Sequence, residues 1–342
     1  MLKINKAKWA ELFAALSAQG TLYLPAEVDG KVDFTVWQDG TEVNLQATQT
    51  AKSIKNVFFP QIENLLDFKT DGLKLSVEQR MLPEEDTIAF GVRGCDVCSF
   101  EVLDKVFLKE PVDAFYKARR EHCTIVSLAC SAPDETCFCG TFAIDATNPG
   151  GDVTTWLVGD DLFWQANTDK GKELTEKIQA LLAEGDEAEV TAQQKATKEI
   201  MAKLPLADFK IDPKIPAEQE KVFNSAIWKQ LSDSCLSCCA CTYVCPTCHC
   251  YDVRDFEIDN KVERFRCWDS CMCKDFTKMA AVNPRVSRLE RFRQRYMHKL
   301  VYFPENNEGT FACVGCGRCL QKCPVSLNIV KVAKALGVAK DV

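Results

Sequence analysis

The chain has 342 residues, enough for two domains with a core in each. Hydrophobic residues make up 46 % and charged ones 27 %, ordinary globular usage, and a net charge of −7 argues against sequence-independent binding of nucleic acid. No window approaches 18 apolar residues, so no membrane span is expected, and the opening MLKINKAKWAELFAAL mixes charged with apolar residues instead of forming a secretory signal.

Residues 5–18 carry Trp9, Leu12, Phe13 and Leu16 on one helical face. Strand-like runs follow at 21–25 and 32–37. The apolar run 87–93 ends at Gly94-Cys95, and helical patterns follow through Val102, Leu103, Val106 and Phe107 and again over 111–121. A second apolar run, 124–129, ends at Cys130. Strand, helices and strand in that order predict a right-handed crossover between parallel strands, with Cys95 and Cys130 at their carboxyl ends. Ligands gather at such ends. Cys137 and Cys139 follow at once.

A hairpin is expected over 152–158 and 161–166, then a helix over 169–183. Residues 184–216 are acidic, rich in alanine and then punctuated by proline, which reads as a linker with a solvated helix. Val222, Phe223, Ala226, Ile227 and Leu231 mark an amphipathic helix beyond it. The expected organisation is α+β. An α/β domain with a small, partly parallel sheet spans 1–183, 184–216 connects, and a helix-rich ferredoxin-like domain spans 217–342.

Two cysteine runs carry the chemistry. Cys235, Cys238, Cys241 and Cys245 precede Pro246, and Cys313, Cys316, Cys319 and Cys323 precede Pro324. Each reads C-x2-C-x2-C-x3-C-P, the run that wraps a [4Fe–4S] cluster. Three thiolates spaced by two residues curl the backbone around one cluster, and the longer step carries the fourth cysteine away. In two-cluster ferredoxins that fourth cysteine ligates the other cluster. The expected sets are therefore Cys235, Cys238, Cys241 with Cys323, and Cys313, Cys316, Cys319 with Cys245. Zinc prefers two well-separated C-x2-C pairs, which the runs do not offer. Twenty cysteines in a long chain, grouped this way, point to metal and a reducing cytoplasm rather than to disulfides.

Sixty-seven residues separate Cys245 from Cys313. They include Arg285, Arg288, Arg291, Arg293, Arg295 and Lys299, with Val286, Leu289, Phe292 and Tyr296 at helical spacing. This predicts a helix-rich domain, and a basic helix that offsets cluster charge, docks an acidic partner or faces solvent. Cys248, Cys250, Cys267, Cys271 and Cys273, spaced C-x-C then C-x3-C-x-C, match no established ligand run and are open to two readings, a fourth metal site or a shield for the second cluster, and Cys98 and Cys123 read as structural thiols. With three histidines no His-based metal site suggests itself, and no G-x-G-x-x-G follows a strand.

GVRGCDVCSFEVLDKVFL at 91–108, SLACSAPDETCFC at 127–139, CLSCCACTYVCPTCHC at 235–250, RCWDSCM at 266–272 and RYMHKLVYF with CVGCGRC at 295–319 together carry a resemblance. They resemble the iron–sulfur (β) subunit of cytosolic sulfhydrogenases and, equally, the iron–sulfur subunit of the anaerobic sulfite reductase. The resemblance covers nearly the whole chain. It implies an electron carrier between a partner binding FAD and NAD(P)H and a partner bearing the catalytic metal. It also carries Cys95, Cys130, Cys137 and Cys139 as ligands of a third [4Fe–4S] cluster, flanked by Arg93 and Asp96. Cys239 stands where these families usually have glycine, and Cys98 where no cysteine is expected. The alternative is a self-sufficient reductase acting on a substrate at the N-terminal cysteine set.

Overall fold

The computed structural model describes residues 1–338. The strands are β1 (Leu2–Asn5), β2 (Thr21–Val28), β3 (Lys31–Val36), β4 (Ile62–Asp71), β5 (Lys74–Gln79), β6 (Thr87–Val92), β7 (Cys123–Leu128), β8 (Val153–Val158), β9 (Asp161–Ala166), β10 (Ala183–Glu184), β11 (Tyr251–Ile258) and β12 (Lys261–Trp268). Eight of them form one mixed sheet in the order β10-β1-β9-β8-β7-β6-β2-β3. Its central pairs β2/β6, β6/β7 and β7/β8 are parallel, and the flanking pairs antiparallel.

Helices cover both faces of this sheet, so its middle strands are apolar on both sides. Ile88 and Phe90 of β6 pack with Leu12 and Leu16 of the helix Trp9–Ser17 and with Leu174 and Ile178 of the helix Asp169–Ile178. Ala89 and Val92 face the opposite way, against Phe100, Leu103 and Phe107 of Gly94–Phe107 and Tyr116 of Ala114–Glu121. Between Phe90 and Val92 the ladder slips by one residue, at Gly91. There φ is +77°, and a Cβ would lie 2.9 Å from the Pro25 ring, so glycine is required.

The crossover from β6 to β7 runs as the apolar pattern predicts. The segment expected as a linker contains the helix Glu187–Met201, capped by the Asp186 side chain on Ala188 N. Val190 and Thr197 on this helix are buried, and Val190 packs on Trp156 and Phe163. The amphipathic stretch after it breaks in two, Gln219–Asn224 and Ile227–Asp233.

The C-terminal core gathers Trp228, Phe292, Tyr296, Leu300, Val301, Ile329, Val332 and Leu336 around the cysteine runs. It is helix-rich there. The spacer between the runs also holds the hairpin β11/β12, which no pattern in the sequence anticipates. β12 pairs antiparallel with β4, giving a second sheet in the order β11-β12-β4-β5, built from two hairpins far apart in sequence. Its root is a buried ion-pair network in which Arg266 donates to Glu63 at 2.7 Å and also meets Asp113.

Candidate iron–sulfur centres

Both cysteine runs adopt the same backbone. In the first, Ser237 and Cys239 have φ of +52° and +62°, and in the second Gly315 and Gly317 have +61° and +79°. A short helix follows each, Ala240–Tyr243 and Arg318–Gln321. These left-handed pairs bend the chain so that successive cysteines face inward. Cys235, Cys238, Cys241 and Cys323 line one cavity, walled by Met272, Phe292, Tyr296 and Leu327. Cys313, Cys316, Cys319 and Cys245 line another, with Arg295, Lys299 and Ile329. The crossed sets are thus brought together. Backbone amides reach two of the sulfurs, Ser237 N on Cys235 at 3.4 Å and Leu327 N on Cys323 at 3.2 Å. Cys238 is exposed, whereas Cys245 and Cys316 are buried.

Two cations are buried between the sets. Arg295 is 2 % exposed; it donates to Cys241 O at 2.8 Å and to Cys248 Sγ at 3.3 Å, while its Nε has no partner. Lys299 is 3 % exposed and donates to Thr247 Oγ1 at 2.9 Å and Ala312 O at 2.7 Å. Among the described residues no carboxylate pairs with either. Burial alone would lower both pKa values, but the neighbouring cysteine sulfurs prevail and raise them, Cys241 and Cys248 at Arg295, Cys245 and Cys248 at Lys299. A buried uncompensated charge is disfavoured by several kcal/mol. The donor chemistry therefore fits an anionic group held by the cysteines of the two sets. Lys55, also buried, donates to Cys245 O and Cys248 O and lies 3.8 Å from the Trp268 ring; burial pushes its pKa down to about 8.

The arginine-rich helix is Arg288–Met297, opened by a capping box between Ser287 and Glu290. Arg291 and Arg295 point inward, so of the three roles expected for this helix these two residues are placed for offsetting charge and not for docking or for a solvated face. Arg291 holds the carbonyls of Met272, Arg285 and Val286.

The third set sits where β6 and β7 end. Cys95 lies in the first turn of Gly94–Phe107, and Cys130 just beyond β7. Cys130 is an electrostatic neighbour of Cys95, Cys137 and Cys139. Burial is the main cause raising the thiol pKa at all four, with that of Cys139 at about 12. Arg93 and Asp96 are buried rather than solvated. Arg93 clamps the carbonyls of Leu45, Ala47 and Ala129 at 2.7–2.8 Å. Asp96 binds Arg318 through both oxygens, at 2.6 and 2.7 Å.

This set abuts the second run. Phe138 N donates to Gly315 O at 2.9 Å, and Gln49 reaches both Cys316 O, at 2.7 Å, and Cys137 Sγ, at 3.5 Å. Side chains at Gly315 or Gly317 would collide with the backbone of Phe138 and Thr136.

Of the remaining cysteines, Cys248, Cys250 and Cys271 lie near one another beside Cys245. Cys248 stands within hydrogen-bond reach of Cys245, and Cys250 of Cys271. Cys273 faces Cys239, with sulfurs 3.1 Å apart. Cys267 lies on β12 near Arg254, Asp252 and Asp269. Cys98 borders a cavity of about 570 Å³ shared with Asp104, Arg120, Cys123 and Lys170, apart from the third set. Among the described residues no three His, Cys, Asp or Glu side chains gather tightly enough for a single metal ion.

Residues 234–327 match the family described as a 4Fe-4S dicluster domain, so the site is that of an iron–sulfur protein of the electron-transport class. Over nearly its whole length the chain is similar to sulfhydrogenase 2 subunit beta of Pyrococcus furiosus, 32 % identical over 349 residues, covering 97 % of this chain and 96 % of that protein. The chain belongs to the sulfhydrogenase beta-subunit family. No solved structure matches it to significance. No helix among the described residues is long and apolar enough to cross a membrane.

Proposed function

We propose that the chain is the electron-relay component of a cytoplasmic multi-subunit oxidoreductase, passing single electrons between a partner that binds FAD and NAD(P)H and a partner bearing the catalytic metal. Two [4Fe–4S] clusters would be held by the crossed sets, Cys235, Cys238, Cys241 with Cys323 and Cys313, Cys316, Cys319 with Cys245. A third would be held by Cys95, Cys130, Cys137 and Cys139. Residues 1–183 supply that third set, 184–216 connect, and 217–342 supply the other two. When bound, such clusters supply one-electron chemistry with little rearrangement.

The observation that carries the reading is the pair Arg295 and Lys299, buried among cysteines without a carboxylate. They would hold anionic clusters in place and favour the state carrying one more electron. The second set adjoins both of the others. Cys241 neighbours Cys245 of the second set, and Cys316 neighbours Cys95 of the third. Exposed Cys238 leaves the first set accessible to a partner.

Anaerobic purification with iron and acid-labile sulfide analysis tests the reading. About 12 iron per chain, four per cluster, supports three clusters and about 8 supports two. Zinc without iron or sulfide overturns it. A native pull-down identifies the partners: a nickel–iron protein favours a hydrogenase complex, and a sirohaem protein favours a sulfite reductase.

A further inference from the structure

We propose that Cys239 and Cys273 form a two-electron thiol–disulfide centre beside the first cysteine cavity, which exchanges with low-molecular-weight disulfides. It is independent of the relay reading, because the exchange uses only these two sulfurs and the reagent.

The two sulfurs lie 3.1 Å apart, so closing a disulfide takes a movement of about 1 Å. Neither residue belongs to a cluster set. Cys239 is 7 % exposed and lines the first cavity, whereas Cys273 is more open to solvent. The side chains of Asp269 and Tyr243 stand within hydrogen-bond reach of Cys273.

The backbone gives a second, separate reason. At φ +62°, Cys239 occupies a left-handed position that its counterpart in the other run fills with glycine, Gly317 at +79°. Glycine would satisfy the turn without strain. Ser237 in the same turn is also left-handed and not glycine, but of the two only Cys239 carries a thiol, and that thiol faces another.

Exchange begins when the thiolate of Cys273, its proton released to solvent, attacks one sulfur of a small disulfide RSSR. The S–S bond of the reagent breaks and one RS⁻ leaves, taking up a proton. Cys239 then attacks the Cys273 sulfur of the mixed disulfide and expels the second RSH. Two protein thiols and RSSR become one protein disulfide and two RSH. Two electrons and two protons pass to the reagent, and excess thiol reverses the sequence. The bond would join the turn 237–239 to the segment 269–273.

The test uses the iron-loaded protein, kept anaerobic and equilibrated with oxidised and reduced glutathione at graded ratios, then alkylated, digested and mapped by mass spectrometry. The expected result is one linkage, between the peptides bearing Cys239 and Cys273. Two thiols per chain are lost, the linked fraction follows a two-electron dependence, and iron content does not change. Cys239→Gly suits the left-handed turn and keeps the fold; it should stop at a glutathione adduct on Cys273. Cys273→Ser should abolish both linkage and adduct at this site. Absence of the linkage at saturating oxidised glutathione overturns the proposal, as does a linkage that appears only after iron is released. Scrambled linkages over several cysteines overturn it as well.

Discussion

Arg318 sets two guanidinium nitrogens on the two carboxylate oxygens of Asp96, at 2.6 and 2.7 Å, with both side chains at most 2 % exposed. Asp96 follows Cys95 in sequence, and Arg318 lies between Cys316 and Cys319. The pair therefore clamps the third cysteine set to the second run. Removing one partner leaves the other charge buried and alone. Asp96→Asn should lower unfolding free energy by about 3–5 kcal/mol, read from urea titration of the loaded protein. The double variant Asp96→Leu/Arg318→Met should recover much of that loss. A double variant as unstable as the single would show that the pair is not the cause.

Arg295 and Lys299 should set potential. A unit charge about 6–8 Å away at an effective dielectric of about 20 is worth roughly 2–3 kcal/mol, on the order of 100 mV for one electron. Arg295→Met and Lys299→Met should each move a cluster potential downward by tens of mV or more, followed by paramagnetic resonance during a dithionite titration. Glu290→Gln, on the outer side of the same helix, should leave potentials in place.

Crossed ligation makes a pairwise statement. Cys323→Ser should disturb the same iron signals as Cys235→Ser, and Cys245→Ser the same signals as Cys316→Ser. Mössbauer spectra of the four variants decide this. A pairing of Cys245 with Cys235 would refute the crossing.

Cys130→Ala should reduce iron by about four per chain while the signals tied to the two C-terminal sets persist. Loss of all iron would mean that the third set serves the fold rather than a separate cluster.

His249 and His298 lie 5.5 Å apart, centroid to centroid. Burial first, then Lys299, holds the pKa of His249 down at about 4; burial first, then His249, holds that of His298 down at about 3. Both stay neutral in the fold, whereas the unfolded chain takes up protons near pH 6.5. The unfolded state thus binds more protons below that pH. Their contribution is complete above about 6.5 and is lost as pH falls through 4 toward 3. His249→Phe/His298→Phe should show a shallower decline in unfolding free energy over that window. A slope equal to that of the parent would contradict the assignment.

The cysteine chemistry was legible because each run is local. Spacing, proline and the x3 step lie within about a dozen residues, and the spacing alone implies the crossing that the two cavities display. The parallel core was legible for a related reason: β6 and β7 are buried on both faces and read as largely apolar runs. The second sheet was not. β11 alternates charge with Val253, Phe256 and Ile258 yet is exposed along most of its length, so burial left no clear pattern. Its neighbour β12 finds β4 about two hundred residues away, as in Val262 opposite Phe68. Nor does composition disclose that Arg291 and Arg295 turn inward. Arginine at helical spacing is the same on a wet face as beside thiolates, and only the surrounding cysteines distinguish the two.

The β4–β12 seam also constrains how the molecule is made. β4 emerges from the ribosome long before β12, so its inner edge stays unpaired through most of synthesis. Arg266 must then arrive to join Arg119 on Glu63 and to pair with Asp113. Loop closure of that span is slow compared with hairpin formation. The N-terminal half released by itself would present an open strand edge to its neighbours, and the hairpin β11/β12 should be needed for its soluble expression.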